Sequence, residues 1–205
     1  MNFSGLVIER SLSLLLGGGV EFDLDDTPEE EYINEVWEAN KQSILMHKLG
    51  QFGGASGTMY LKIMPDEIDG MPRLMPLDPI WMNITTAPTD IDKVMKYSNI
   101  YYLTVDGDAV GYKELVTRQE DDTWLVEQYE KPSSKWVKVA SVVWDYDFPP
   151  IIHWQNLTNA ESPYGISDIE DVVVIQDKIN FISSNINKII RYHAHPKTWG
   201  SGFGD

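Results

Sequence analysis

The glycine-rich stretch Gly50 to Gly57 (GQFGGASG) could in principle wrap a phosphate. It holds no Gly-Lys-Ser/Thr and no G-x-G-x-x-G, and it leads from a helical pattern into a strand pattern, the reverse of a nucleotide loop. It reads instead as a flexible connection or a close backbone contact. Asp23, Asp25 and Asp26 match the opening of a calcium loop, but Pro28 stands where the loop needs glycine and Asn34 where it needs glutamate. A solvated acidic turn fits better. His193 and His195 form a His-x-His pair with no third ligand near in sequence, and an imidazole at a helix carboxyl end is explained by the helix dipole. There is no cysteine and no G-x-S-x-G, and among 32 acidic residues no carboxylate pair stands out. Two glycosylation sequons, at Asn83 and Asn156, find no support for secretion in a cysteine-free chain. The expectation is therefore no catalytic residue, no cofactor and no metal.

Charge narrows the partners. The 205 residues carry 16 basic side chains against the 32 acidic ones, a net charge of −16. A surface this acidic should not hold DNA or anionic membrane tightly, because that binding depends on clustered Lys and Arg. The excess is uneven: Glu21 to Glu31 holds seven carboxylates, whereas Lys188, Arg191 and Lys197 leave the last segment mildly positive. The longest near-apolar run, Leu12 to Val20, is too short to cross a bilayer and ends in three glycines.

The elements that must position these groups divide into three stretches. Residues 3–16 read as an amphipathic helix stopped by Gly17 to Gly19, and Val20, Phe22 and Leu24 alternate with acids as a brief strand. Thr27-Pro28 with Glu30 is a capping-box start for a helix to about Leu49, with Ile33, Val36, Trp37, Ile44 and Leu45 inward, broken at Gly50 to Gly57. From Thr58 to Asn156 strand patterns dominate: 58–64, 73–77, 80–86, 97–105, 109–119, 123–131, 135–146 and 151–154. Short turn-like separators after Val105, Gln119 and Lys131 predict an antiparallel meander. The fold class is α+β.

Ser167 with Glu170 then predicts a capping box for a helix reaching about Ala194, roughly 28 residues and about 42 Å. Val172, Ile175, Ile179, Ile182, Ile186 and Ile189 recur at heptad spacing, which favours near-parallel packing against protein. A second face carries Gln176, Asn180, Ser183, Ser184, Asn187 and Arg191, polar and almost uncharged. A third carries Glu170, Asp177 and Lys188. Three faces imply three environments: a protein neighbour, an aqueous channel or groove, and outer solvent. The glycine-rich end at Gly202 to Asp205 reads as a chain that continues.

Residues Tyr164-Gly165-Ile166-Ser167-Asp168-Ile169-Glu170, then Ile175-Gln176-Asp177-Lys178-Ile179-Asn180, then His195-Pro196-Lys197 and Gly200, resemble the portal proteins of long-tailed, non-contractile bacteriophages and prophages. Gly57 to Leu61, Leu77-Asp78-Pro79 and Pro149 to Asn156 support the resemblance, which covers essentially the whole chain. It implies an antiparallel β-rich wing domain with amino-terminal helices over residues 1–160. Residues 161–205 would then be the long stem helix and the start of a truncated clip. It further implies a non-enzymatic ring, usually of twelve subunits, that forms the DNA entry and exit channel at a capsid vertex of the virion and is assembled in the host cytoplasm. Its partners would be its own copies, a terminase motor that hydrolyses ATP, a head-tail connector, capsid proteins and duplex DNA passing without tight binding; no membrane is involved. On that plan Asn180, Ser184, Asn187 and Arg191 face the channel, and the Val172–Ile189 stripe packs against protein. Two rival readings stand beside it. Seven Trp and ten Tyr suit a β-rich carbohydrate- or receptor-binding module, which needs coplanar exposed aromatics; an acidic hydrolase needs two close carboxylates in a deep cleft.

Overall fold

The computed structural model describes residues 2–23, 27–65, 70–105, 107–132, 134–194 and 201. Leu24, Asp25 and Asp26 of the acidic turn, and the tail residues His195, Pro196, Lys197, Gly200 and 202–205, lie outside them. Helix α1 (Phe3–Leu16) has the predicted span, and Asn2 caps it by accepting a hydrogen bond from the Gly5 N–H at 2.9 Å. Residues 20–23 form no strand. Phe22 instead packs edge-on against Trp37, ring centroids 5.4 Å apart.

Thr27 caps α2 (Pro28–Ala39) as predicted, its hydroxyl accepting from the Glu30 N–H. The helix does not run on to Leu49. Asn40 stops it: its Nδ2 donates to the carbonyls of Val36 and Pro72, its Oδ1 accepts from Leu74 N–H, and Lys41 takes up a left-handed φ of 54°. The kink turns the next helix, so that Leu45 and Leu49 are buried while Ile44 is exposed and Ile33 sits at the surface. Helix α3 (Gln42–Ser56) then passes straight through the glycines expected to break it. A Cβ on Gly50 would lie 2.2 Å from Leu12 Cδ2, and one on Gly53 2.9 Å from the Met59 side chain. These glycines let α1 and the following strand approach closely, and that packing outweighs the ~1 kcal/mol each costs a helix.

Two antiparallel sheets follow. β1 (Thr58–Met64) lies between β2 (Arg73–Leu77) and β8 (Ile151–Gln155). The second sheet is the predicted meander in chain order: β3 (Met82–Ala87), β4 (Asp90–Val105), β5 (Asp108–Arg118), β6 (Trp124–Lys131) and β7 (Val137–Trp144). Ile80 and Trp81, expected to begin a strand, lie in a single 3-10 turn, Pro79–Trp81, where Asp78 Oδ1 accepts from the Ile80 N–H. Tyr60, Leu77 and Ile151 of the small sheet meet Ile84, Tyr97, Val116 and Trp124 of the large one, and this is the main core. A second apolar contact joins Ile8 and Leu12 of α1 to Leu45 and Leu49 of α3. The last described element is α4 (Glu170–His193), 24 residues and about 36 Å long, starting later than the predicted Ser167 cap and ending with Ala194 as its cap. The molecule is α+β, and among the described residues no helix is long and apolar enough to cross a membrane.

Candidate functional site

What holds α4 is the segment just before it. Ser167 does not form the predicted capping box; Ile169 occupies the cap position and no side chain caps the helix. The Ser167 hydroxyl lies 2.7 Å from the Gly54 carbonyl and 2.9 Å from that of Ala55, so it fills acceptors left open at the end of α3. Asp168 adds two ties: its N–H donates to Gly54 O, and its Oδ1 accepts from Asn156 Nδ2 at 2.7 Å. Gly165 N–H donates to Thr58 Oγ1, and the Tyr164 hydroxyl accepts from Ile84 N–H at 2.9 Å. Gly57, at φ 81°, and Gly165 are pressed together: a Cβ on Gly165 would sit 2.2 Å from Gly57 O. The Tyr164-Gly165-Ile166-Ser167-Asp168 segment is thus a latch joining α3, both sheets and the root of α4.

One more tie follows. Gln176 is 9% exposed; its Oε1 accepts from the Phe3 N–H at 2.7 Å, and its Nε2 donates to Asn180 Oδ1. The carbonyl end of this side chain thereby fills a first-turn donor of α1. From Asp177 to the cap residue Ala194 every residue is exposed, a projection of about 25 Å. Of the apolar stripe only Val172 is half-buried; Ile175, Ile179, Ile182, Ile186 and Ile189 are all exposed, Ile182 at 56%. Asn180, Ser184, Asn187 and Arg191 are exposed on the polar side. The stripe does not fold back on the sheets.

The heptad count missed a second apolar arc. Val174, Phe181 and Tyr192 are exposed, Phe181 at 67%, and they lie roughly 110° around the helix from the isoleucines, away from the polar arc. They share the side assigned to charged solvent with Lys188 and Asp177. An 11- and 7-residue spacing read alongside the 3-4 repeat would have found them. Gln176, counted with the polar face, is the one residue of that face withdrawn from solvent.

Among the described residues the groups that the rival readings need are not brought together. Trp124 is buried and half-buried Trp144 packs on the core, where they stabilise the sheets. Trp144, Tyr146 and Phe148 cluster with ring centroids 4.9 to 6.2 Å apart, but their planes are inclined by 34° to 76° and form no flat platform. Asp78 and Glu114 line one cleft of about 240 Å³, but the Glu114 carboxylate is taken up by Lys62 Nζ at 2.5 Å and Gln128 Nε2 at 3.2 Å. His153 lies in the core, its Nδ1 3.0 Å from the Tyr97 hydroxyl and its ring stacked on Tyr60. Burial holds the imidazole below its ordinary pKa, raises Tyr97 to about 12 and raises Tyr60 further. Among the described residues no three histidine or carboxylate side chains converge as metal ligands.

The family described as phage portal protein, SPP1 Gp6-like, matches residues 1–205, the whole chain. No curated protein matches it.

Proposed function

The chain belongs to the SPP1 Gp6-like phage portal proteins, a structural family, and from that premise we propose that it is the wing and first stem helix of a ring subunit. Residues 1–160 form the wing and residues 161–205 the stem helix with the start of the clip. The ring, twelve subunits on the family's usual plan, conducts duplex DNA into and out of the capsid at one vertex. It docks a terminase motor, a head-tail connector and capsid proteins, and it is assembled in the host cytoplasm. ATP hydrolysis lies with the motor, and the wing–stem chain does no chemistry of its own.

The observation that carries this reading is the bare projection of α4. A soluble monomer does not leave apolar arcs bare along 25 Å of helix in water at no cost, since contiguous exposed apolar patches of this kind mark interfaces. Ring closure is heterologous, so each helix needs two different protein-facing arcs, one toward each neighbour, and a third toward the lumen. The isoleucine arc, the Val174–Phe181–Tyr192 arc and the neutral polar arc supply those three. A lumen lined by Asn180, Ser184 and Asn187, with Arg191 the one cation in the set, would let DNA slide because few counterions are released on contact.

The test is assembly of two variants of the full-length subunit, followed by size-exclusion chromatography with light scattering. Ile182→Asp places an unpaired charge in an apolar contact and abolishes the ring. Asn187→Asp assembles normally. The reverse result assigns the faces backwards and removes the channel reading with them.

A further inference from the structure

Between α3 and β2 lies a groove of about 460 Å³ whose charge runs against the rest of the chain. Lys41, Lys48 and Arg73 line it, and among the described residues no carboxylate does, although acids outnumber bases 32 to 16 in the sequence. All three cations are exposed, and none makes an ion pair among the described residues. Apolar surface lies between them: Ile44 is 54% exposed, Met75 39%, and Leu74 is half-buried. Cations around an apolar floor suit a guest that carries both carboxylates and apolar groups. A nucleic-acid backbone would meet the cations and leave the floor wet.

The chain itself carries such a guest. Helix α2 has no buried residue and no basic one. Glu31, Glu35 and Glu38 fall within about 60° of one another around it and form an exposed stripe about 10 Å long. Tyr32, 49% exposed, flanks that stripe. Lys41 and Lys48 are also seven residues apart, so the rows of opposite charge match in length. The three carboxylates make no ion pair among the described residues either, so stripe and groove do not meet within one copy. Two complementary faces that stay apart on one chain can meet between copies, head to tail, which is the kind of contact that closes a ring.

We propose that this groove seats helix α2 of a neighbouring copy, with Glu31, Glu35 and Glu38 against Lys41, Lys48 and Arg73, and Tyr32 on the Ile44–Met75 floor. The contact rests on the ring reading above, but it uses the wing and not α4.

Two variants of the full-length subunit test it. Glu35→Lys with Glu38→Lys makes the helix basic, and Lys48→Glu with Arg73→Glu makes the groove acidic. All four positions are exposed, so each variant subunit should melt within about 2 °C of the parent. Each variant alone sets like charges face to face and needs about tenfold or more subunit to assemble, read by size-exclusion chromatography with light scattering. Mixed one to one, the two assemble as the parent does, because every seam of an alternating ring then pairs opposite charges. Repulsion within a single copy cannot give that rescue, since mixing leaves each chain's own charges unchanged. Variants that assemble singly as the parent does, or a mixture that fails although both subunits fold, overturn the proposal and leave the ring reading standing. A parent that stays monomeric overturns both. A rescued mixture whose mass stops at a dimer supports the contact and overturns the ring.

Discussion

Replacing Gly165 by alanine should loosen the root of α4 more than any comparably small change on the surface. The added Cβ would stand 2.2 Å from Gly57 O, 2.8 Å from Gln155 Cβ and 2.9 Å from Leu157 O. Two of those three atoms are backbone, and the Gly57 oxygen cannot retreat freely because Gly57 O accepts from Asn156 N–H at 2.8 Å. Moving Gly165 away instead strains its own bond to Thr58 Oγ1 and the Ile166 N–H bond to Leu157 O. Overpacking of this kind costs about 1–3 kcal/mol, and a weakened buried hydrogen bond adds about 1 kcal/mol. A total near 3 kcal/mol lowers Tm by roughly 6–12 °C for a chain of this size. Gly18→Ala is the control: a Cβ there meets nothing within 4 Å, and the change should move Tm by less than about 2 °C. Thermal unfolding followed by circular dichroism at one scan rate measures both. If Gly165→Ala melts within 2 °C of the parent, the latch yields easily and does not fix where α4 points.

Two further outcomes follow from the buried polar groups. His153 is held neutral, with its folded pKa below the ordinary 6.5, so the unfolded chain takes up the proton first and stability falls as pH drops through about 6.5. Urea midpoints at pH 7.5 and pH 5.5 should therefore differ less in His153→Gln than in the parent, by up to about 1 kcal/mol, and equal differences would contradict the burial argument. Lys62→Met leaves Glu114 a buried charge without its cation and should cost about 3–5 kcal/mol in urea unfolding; adding Glu114→Leu should recover most of that loss, and an additive double variant would show the pair is not coupled.

The sequence was most readable where local chemistry decides the structure. Thr27 starts a helix, the separators read after Gln119 and Lys131 belong to a meander, and α1 has the span that its apolar spacing requires. It misled where a distant partner decides. Gly50, Gly53 and Gly54 look like a break, and only the positions of Leu12, Met59 and Ile8 show that they are contact points inside a helix. Asn40 looks like an ordinary helical residue until Pro72 and Leu74 arrive to bind it. Ser167 has the spacing of a capping box, yet the open carbonyls at the end of α3 compete for its hydroxyl and win, because there the bond also joins two helices.

The same contrast explains why α4 could be read better than its anchorage. Its periodicity is a property of one chain segment, and the isoleucine and polar arcs follow from spacing alone. The Val174–Phe181–Tyr192 arc went unseen because a single 3-4 repeat was taken to exhaust the apolar surface. Its presence changes the physical problem. A helix with one apolar arc can be satisfied by one neighbour, in a closed two-fold pair; a helix with two such arcs, roughly 110° apart, is left half-wet by any single partner. The proposed ring, which gives each copy a neighbour on both arcs, removes that surface from water. The root of the helix is held by hydrogen bonds from Asn156, α3 and α1, and its outer 18 residues, Asp177 to Ala194, are all exposed. The exposed half is therefore the part that the proposed ring would pack.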